Sequence, residues 1–208
     1  MYYYVETDGR LFLVSRAGKL DLPHEGDLLF NVERIGRLAG SEDAWFCVPD
    51  LDQHPTEWPL KDDIPQNPDT TERLRAAVHA SMPRVVVEGI CHRGEDVLLV
   101  QGNRGLTEGL WTLPGGFLRF GESPEQGVVR ELREEVGLEG NVRELVGVRS
   151  RLGHRSRLHW IMLFYRVAAE GPLRPNPDEI AEARFVDVET ACRMIGDEMM
   201  RAVIRDLC

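Results

Sequence analysis

Residues 115–138 constrain the fold of this chain more than any other stretch. They read GGFLRFGESPEQGVVRELREEVGL. Ser123 suits a helix cap, Pro124 suits the first helical position, and Gln126 can complete a capping box. Gly137 is typical of the position just beyond a helix end. The sequence therefore predicts a helix of about three and a half turns between two stop signals.

Acidic side chains crowd one side of that predicted helix. Glu131, Glu134 and Glu135 are related by i, i+3 and i+4 and share a face. The apolar positions form a different face: Val128, Val129, Leu132 and Val136. Like-charge repulsion and the helix dipole both oppose acids in the last turns, but each costs only about a few tenths of a kcal/mol when exposed. A solvated acidic face and a divalent-cation site therefore both stay open on the pattern alone. Glycines at 115–116 would let backbone carbonyls approach such an ion.

The spacing around these glutamates resembles the complete signature of the Nudix hydrolase family. Gly116 is followed after five residues by Glu122. Seven more residues lead to RELREEVGL, which runs from Arg130 to Leu138. The family pattern is G-x5-E-x7-R-E-U-x-E-E-x-G-U, with U aliphatic, and every fixed position is filled. The resemblance covers about residues 84–208. It implies an α/β fold, the Nudix-type α/β/α sandwich with a mixed sheet.

The resemblance also implies a reaction and a set of site residues. Family members hydrolyse the pyrophosphate linkage of a nucleoside diphosphate joined to another group, such as a nucleotide-sugar, a dinucleotide or ADP-ribose, with Mg²⁺ or Mn²⁺ bound. The implied metal ligands are the Gly116 carbonyl, Glu131, Glu134 and Glu135. Glu122 and Arg130 resemble the ion pair that orients the helix, so a supporting role is expected of both. The implied catalytic candidates are Glu134, Glu135, Arg130 and, from a later loop, Glu179.

The resemblance does not decide which residue accepts the proton, because family members place this base either within the signature or in a later loop. Here the later loop spans residues 177–182 and carries Glu179 and Glu182, of which Glu179 is preferred. A pair of solvated loop acids is the other interpretation.

Basic residues are unusually dense between residues 145 and 157 for an acidic chain. Guanidinium groups suit phosphate oxygens, and the alternative is an exposed loop with salt bridges. The substrate-binding candidates are Arg104, Arg149, Arg151, His154 and Arg155. Trp111 and Trp160 either stack on a base or belong to the core. Markers of individual subfamilies are absent, so the sequence does not name the leaving group.

The chain reads as an N-terminal β-rich module (1–68), a linking helix (69–83) and a Nudix domain (84–208). Asp8-Gly9 predicts a hairpin between strands at 2–5 and 11–14. Asp69 or Thr70 is the expected cap of the linking helix. The remaining predicted strands lie at 44–48, 85–90, 97–101, 142–148, 159–167 and 183–187, and a C-terminal helix is predicted over 189–207.

Bulk properties exclude several classes of protein. A net charge of −10 argues against binding to a nucleic-acid backbone. No apolar run is long enough to span a bilayer, and the first residues lack signal-peptide character, so a cytoplasmic protein is expected. Family enzymes of this size often dimerise, which makes a homodimer the expectation. A non-catalytic Nudix-type nucleotide sensor is the alternative function, and isomerase or decapping chemistry on the same fold is a weaker one.

Overall fold

The computed structural model describes residues 1–40, 44–53, 55–153 and 156–206. The chain divides into two units, Met1–Arg84 with Arg151–Trp160, and Val85–Ser150 with Ile161–Cys208. That residues 151–160 belong to the first unit is not predicted from the sequence.

The first unit is built on a four-stranded sheet and a separate hairpin. Its strands are β1 (Tyr2–Thr7), β2 (Arg10–Phe12), β3 (Val14–Arg16), β4 (Lys19–Asp21), β5 (Val32–Arg37) and β6 (Ala44–Pro49). The sheet order is β2-β1-β6-β5, with β3 paired to β4. Asp8 and Gly9 both have positive φ, 49° and 68°, the geometry of a two-residue hairpin turn. The predicted hairpin and the predicted strand at 44–48 are confirmed.

Helix α1 (Glu72–Ser81) begins later than the sequence predicts. Thr71 is the cap, because its hydroxyl accepts a hydrogen bond from the Leu74 N–H at 3.2 Å. The prediction that Asp69 or Thr70 caps the helix is therefore wrong. The Thr70 hydroxyl instead donates to the Asn67 carbonyl at 2.8 Å. A short 3₁₀ helix, Lys61–Gln66, precedes α1.

The second unit contains the larger sheet. Its elements are β7 (Arg84–Arg93), β8 (Asp96–Gly102), a 3₁₀ turn (Gly105–Thr107), β9 (Trp111–Thr112), β10 (Gly115–Phe117), α2 (Pro124–Val136), β11 (Glu139–Leu152), β12 (His159–Glu170), β13 (Ile180–Asp187), α3 (Val188–Met194) and α4 (Glu198–Asp206). The strand order is β11-β12-β7-β8-β13, with β10 paired to β7 and β9 to β8. The predicted α/β class is confirmed.

Strand β8 explains why helices lie on both faces of this sheet. Successive side chains of a strand point to opposite faces. Leu98 and Val100 pack with Leu132 of α2. Val97 and Leu99 are fully buried as well, and they face the other side, where α3 contacts β8. A strand buried on both faces needs a cover on each, which is the sandwich arrangement.

The caps of α2 are those that the sequence predicts. Ser123 and Gln126 exchange hydrogen bonds between each side chain and the other's backbone N–H, at 3.3 and 3.0 Å, which is the capping box. Gly137 ends the helix in the left-handed region with φ 69°. The apolar face is buried, with Val128, Leu132 and Val136 at 0% exposure. Burying this face orients the glutamates on the other side of the helix.

The prediction of one C-terminal helix over 189–207 is wrong. Helices α3 and α4 are separated at Ile195, Gly196 and Asp197, where glycine disfavours continuation and the Asp197 carboxylate accepts from the Met200 N–H at 2.9 Å as a new cap. Met200 of α4 is buried. Within the described ranges, no helix has the length and apolar character needed to cross a bilayer.

Candidate active site

The short strand β10 brings two glycines against helix α2. The Gly115 N–H donates to Glu135 Oε2 at 3.0 Å. A Cβ atom on Gly116 would lie 2.6 Å from Glu131 Oε1, so only glycine leaves room for that carboxylate. Glycine at 116 thus lets the Glu131 carboxylate lie directly against the backbone, whereas glycine at 115 allows the close approach of the Val87 carbonyl of β7.

The environment of Glu131 and Glu135 disfavours their negative charge. Burial raises the pKa of Glu131, although the Arg130 guanidinium opposes the shift. Burial raises the pKa of Glu135 to about 8, with further contributions from the charges of Glu131 and Glu179 and an opposing hydrogen bond from Gly115. Desolvated carboxylates held close together are characteristic of a functional site.

Arg130 connects the loop, the helix and the buried acid. Its Nε and Nη2 donate to the two oxygens of Glu122 at 2.7 and 3.0 Å. Nη2 also donates to the Phe117 carbonyl, and Nη1 donates to Glu131 Oε1 at 2.6 Å. These hydrogen bonds hold the pKa of Glu122 down to about 2 and raise that of Arg130. The geometry is that of a positioning pair, which is the role expected of both residues.

Glu122→Gln is expected to lower the free energy of unfolding by about 1–2 kcal/mol at neutral pH, because a charge-assisted bidentate pair is lost. The folded pKa lies below the ordinary value of 4.5. The stabilisation is therefore complete above pH 4.5 and disappears as the pH falls toward 2. Denaturant unfolding of both proteins across this range measures it.

Glu139→Gln is the matched control, since Glu139 forms a bidentate pair with Arg133 whose side chains are 69% and 57% exposed. An exposed pair contributes little to stability, because solvent screens the charges. Equal losses in the two variants would contradict a special role for the Glu122–Arg130 pair.

Glu134 lies next to Glu135 in the sequence but has different partners. Arg119 Nη2 donates to both of its oxygens, at 2.9 and 3.0 Å, and Arg130 Nη1 donates to Oε2 at 3.0 Å. Among the described residues, no three acidic, histidine or cysteine side chains are arranged as a ready-made metal site. Sequence reasoning missed Arg119, because the spacing around a lone arginine does not show which acid it contacts.

Glu179 is positioned by backbone contacts with the end of α2. The Asn176 N–H donates to the Glu135 carbonyl at 2.8 Å, and the Arg174 N–H donates to the Val136 carbonyl at 2.9 Å. The last carbonyls of a helix lack partners within it, so the loop docks there. The structure brings Glu179 within electrostatic reach of Glu131 and Glu135, and Arg104 forms an ion pair with it.

Comparison with known proteins decides the family. Residues 82–207 match the NUDIX domain family, which is more than half of the chain. This chain belongs to the Nudix family. It is a Nudix hydrolase, an enzyme that cleaves pyrophosphate linkages in nucleotide-linked substrates. Nudix hydrolases generally use divalent metal ions.

Individual relatives agree with this assignment. The ADP-ribose pyrophosphatase of Methanocaldococcus jannaschii is 33% identical over 60% of this chain and 72% of its own length. The NAD-capped RNA hydrolase NudC of Pseudomonas aeruginosa is 37% identical over 47% of this chain, but the match spans only 34% of NudC. The crystal structure of a MutT NUDIX hydrolase from Burkholderia pseudomallei has a TM-score of 0.53 and 24% identity, over 61% of this chain and 99% of that one. It shows the shared fold.

The other substrate candidates of this Nudix protein do not gather into a described cluster. Arg149 lies on β11 and donates to the neighbouring Val148 carbonyl at 3.1 Å. Arg151 and Trp160 belong to the first unit. His154 and Arg155 lie outside the described residues. Trp111 is stacked by the Arg184 guanidinium, 4.7 Å from the ring centroid.

The residues of the Nudix site suit a hard divalent cation. Carboxylate and carbonyl oxygens are the donors that Mg²⁺ and Mn²⁺ prefer. The Glu131 carboxylate lies against Gly116, where a Cβ atom would be 2.6 Å from Oε1. Burial disfavours the negative charges of Glu131 and Glu135, and a bound cation would neutralise them. The ligand atoms and their electrostatic environment therefore fit the metal requirement of the family.

Proposed function

We propose that this Nudix hydrolase cleaves a nucleoside diphosphate joined to a second group, with compounds of the ADP-ribose type as the first class to test, and that it uses Mg²⁺ or Mn²⁺. One observation carries the proposal: Glu131 and Glu135 lie partly buried against Gly115 and Gly116 with raised pKa values. The name of the archaeal relative, an ADP-ribose pyrophosphatase, favours that substrate class. A homodimer is proposed as the working form on the resemblance alone, and a cytoplasmic location is proposed on the sequence properties given above.

The metal-holding residues in this proposal are Glu131, Glu135 and the Gly116 carbonyl, with Glu134 joining them. A bound divalent cation supplies neutralisation of phosphate oxygens and lowers the pKa of coordinated water. The Gly115 N–H orients the Glu135 carboxylate through its 3.0 Å hydrogen bond. Arg130 orients Glu131 in the same way at 2.6 Å. The hydrogen bonds set the direction of each carboxylate before any ligand binds.

Proton transfer is assigned to Glu179. Its loop is tied to the helix end by backbone bonds to Glu135 and Val136, so its carboxylate stays beside the acidic pair. It accepts a proton from the attacking water as a general base. Arg104, its ion-pair partner, holds the Glu179 carboxylate in position.

Glu179→Gln is expected to lower kcat by about 10²–10⁴-fold, the usual worth of a positioned general base. Metal affinity is expected to stay unchanged, because Glu179 is not among the proposed ligands. Steady-state kinetics and metal titration measure the two effects separately.

Glu182→Gln is the matched control for this base. Glu182 lies on β13, and its carboxylate is 3.4 Å from Arg184 Nε, in an exposed pair. Its replacement should leave kcat near the wild-type value. A near-wild-type rate in Glu179→Gln would reject Glu179 as the base.

A substrate panel tests the proposed function itself. The purified protein is incubated with ADP-ribose, nucleotide-sugars, dinucleotides and nucleoside triphosphates, with Mg²⁺ or Mn²⁺, and the phosphorylated products are identified. Cleavage of ADP-ribose to AMP and ribose phosphate is the expected result. Tight binding of a panel compound without turnover of any of them would favour the nucleotide sensor and contradict the hydrolase proposal.

A further inference from the structure

Arg119 makes a close contact with an acid of the candidate site. Its Nη2 donates to Glu134 Oε1 at 2.9 Å and to Oε2 at 3.0 Å. Its backbone N–H donates to Glu122 Oε2 at 3.0 Å. Glu122 is in turn held by Arg130. The backbone at position 119 is therefore anchored, and the side chain is directed toward Glu134 by the loop that precedes α2.

Glu131, Glu134 and Glu135, the three glutamates of the family signature on α2, have different hydrogen-bonding partners. Glu135 accepts a hydrogen bond from a neutral N–H, that of Gly115. Glu131 is paired with Arg130, whose side chain is only 14% exposed. Glu134 contacts both Arg130 and Arg119, and the Arg119 side chain is 60% exposed. Arg119 is thus the partner of Glu134 that can move into solvent without opening the core.

A guanidinium on a carboxylate occupies the oxygens that a cation would use. Both oxygens of Glu134 already accept from Arg119, so an incoming divalent ion must compete with that arginine. An arginine released in this way keeps its planar set of donors, which matches phosphate as well as carboxylate. The substrate of a pyrophosphohydrolase carries such phosphate oxygens.

We propose that Arg119 is an exchangeable counter-ion of Glu134. It pairs with the carboxylate in the metal-free protein, is displaced when a divalent cation binds Glu134, and then binds a phosphate oxygen of the substrate. The inference rests on the proposed function, because it assumes that Glu134 joins the metal site. It assigns Arg119, a residue outside the fixed positions of the family signature, to substrate binding.

Arg119→Gln and Arg133→Gln form the test pair. Both remove one positive charge near α2, but Arg133 pairs with Glu139, beyond the end of the helix. Mn²⁺ alone is titrated into each metal-free protein and into the wild type, and bound ion is measured by electron paramagnetic resonance. The KM for ADP-ribose, or for the best substrate of the panel, is then measured at saturating Mn²⁺.

In Arg119→Gln, the Kd for Mn²⁺ and the KM for the substrate are expected to change in opposite directions. The Kd for Mn²⁺ should fall by about threefold, in line with loss of a partly exposed ion pair, while KM should rise by about tenfold with the loss of a charged phosphate contact. Arg133→Gln should leave both within about twofold of wild type. Arg119→Lys, which keeps the charge and loses the planar fork, should also tighten Mn²⁺ binding and restore only part of the KM.

Either of two results would overturn the exchange. The first is an Mn²⁺ Kd in Arg119→Gln that equals that of the wild type or of Arg133→Gln. The second is an unchanged KM. A wild-type protein that binds no Mn²⁺ would instead refute the proposed metal site, so failure of this inference is distinguishable from failure of the proposed function.

Discussion

Glu135→Gln is expected to lower turnover by at least about 10³-fold, the scale of losing a group that stabilises charge in the transition state. Glutamine is neutral and a weaker ligand for a hard cation. Its amide oxygen can still accept the Gly115 N–H, which is 3.0 Å from Glu135 Oε2 in the native protein. The variant should therefore fold normally, and single-turnover kinetics at saturating Mn²⁺ measure the loss.

The same substitution is expected to stabilise the metal-free protein at high pH. The folded pKa of Glu135, about 8, lies above the ordinary value of 4.5. The folded state holds this proton more tightly than the unfolded state, so stability falls as the pH rises from 4.5 to 8, and the penalty is complete above pH 8. Glu135→Gln removes that penalty, and the expected gain at pH 9 is about 5 kcal/mol, because each pKa unit between 4.5 and 8 is worth about 1.4 kcal/mol.

The pH dependence supplies its own control. Below pH 4.5 the carboxyl is protonated in both states, so wild type and variant should unfold at similar denaturant concentrations. Unfolding is measured in a chelator, because bound metal would stabilise the wild type. A variant that is less stable than wild type at pH 9, or that retains activity, would contradict the assignment of Glu135 as a desolvated metal ligand.

Local signals in the sequence predict α2 well because its ends are chemically distinct. Ser123, Pro124 and Gly137 each satisfy a requirement of a helix end that acts within one turn. The i, i+3 and i+4 spacing then determines which side chains share a face. Residue spacing does not determine where each carboxylate points, since that depends on partners from other elements. Glu134 and Glu135 are adjacent, yet one contacts two arginines and the other a backbone N–H.

The errors have the same physical origin. Asp69, Thr70 and Thr71 are all acceptable caps, and the tertiary contact that distinguishes Thr71 is its hydroxyl's hydrogen bond to Asp21 Oδ1 at 2.8 Å. The strands Trp111–Thr112 and Gly115–Phe117 are too short to show periodicity, and they exist because β8 and β7 offer backbone partners. Arg119 was overlooked because a lone arginine shows its role only when its partner is known. Long-range pairing, which spacing cannot encode, thus accounts for these misses.

Gly115→Ala is expected to cost about 3 kcal/mol or more of stability, at the upper end of overpacking effects. A Cβ atom there would lie 2.1 Å from the Val87 carbonyl oxygen and 3.0 Å from the Glu88 Cα. Both are backbone atoms of β7, the partner of β10 in the sheet, so the strands must separate. Separation also moves the N–H that orients Glu135, and activity should fall with stability. Denaturant unfolding and turnover are measured on the same sample.

Gly121→Ala is the control for Gly115→Ala, because it tests the cost of a left-handed backbone conformation without a steric clash. Gly121 lies in the turn between β10 and α2 with φ +77°, and a Cβ atom on it would meet no other atom within 4 Å. Its replacement should cost only about 1–2 kcal/mol, the penalty of a left-handed residue with a side chain. If the two variants lost equal stability, the clash with Val87 would not be the reason for glycine at 115. Retention of full activity in Gly115→Ala would mean that the Gly115 N–H is not needed to hold the Glu135 carboxylate, because that hydrogen bond cannot survive the separation of β10 from β7.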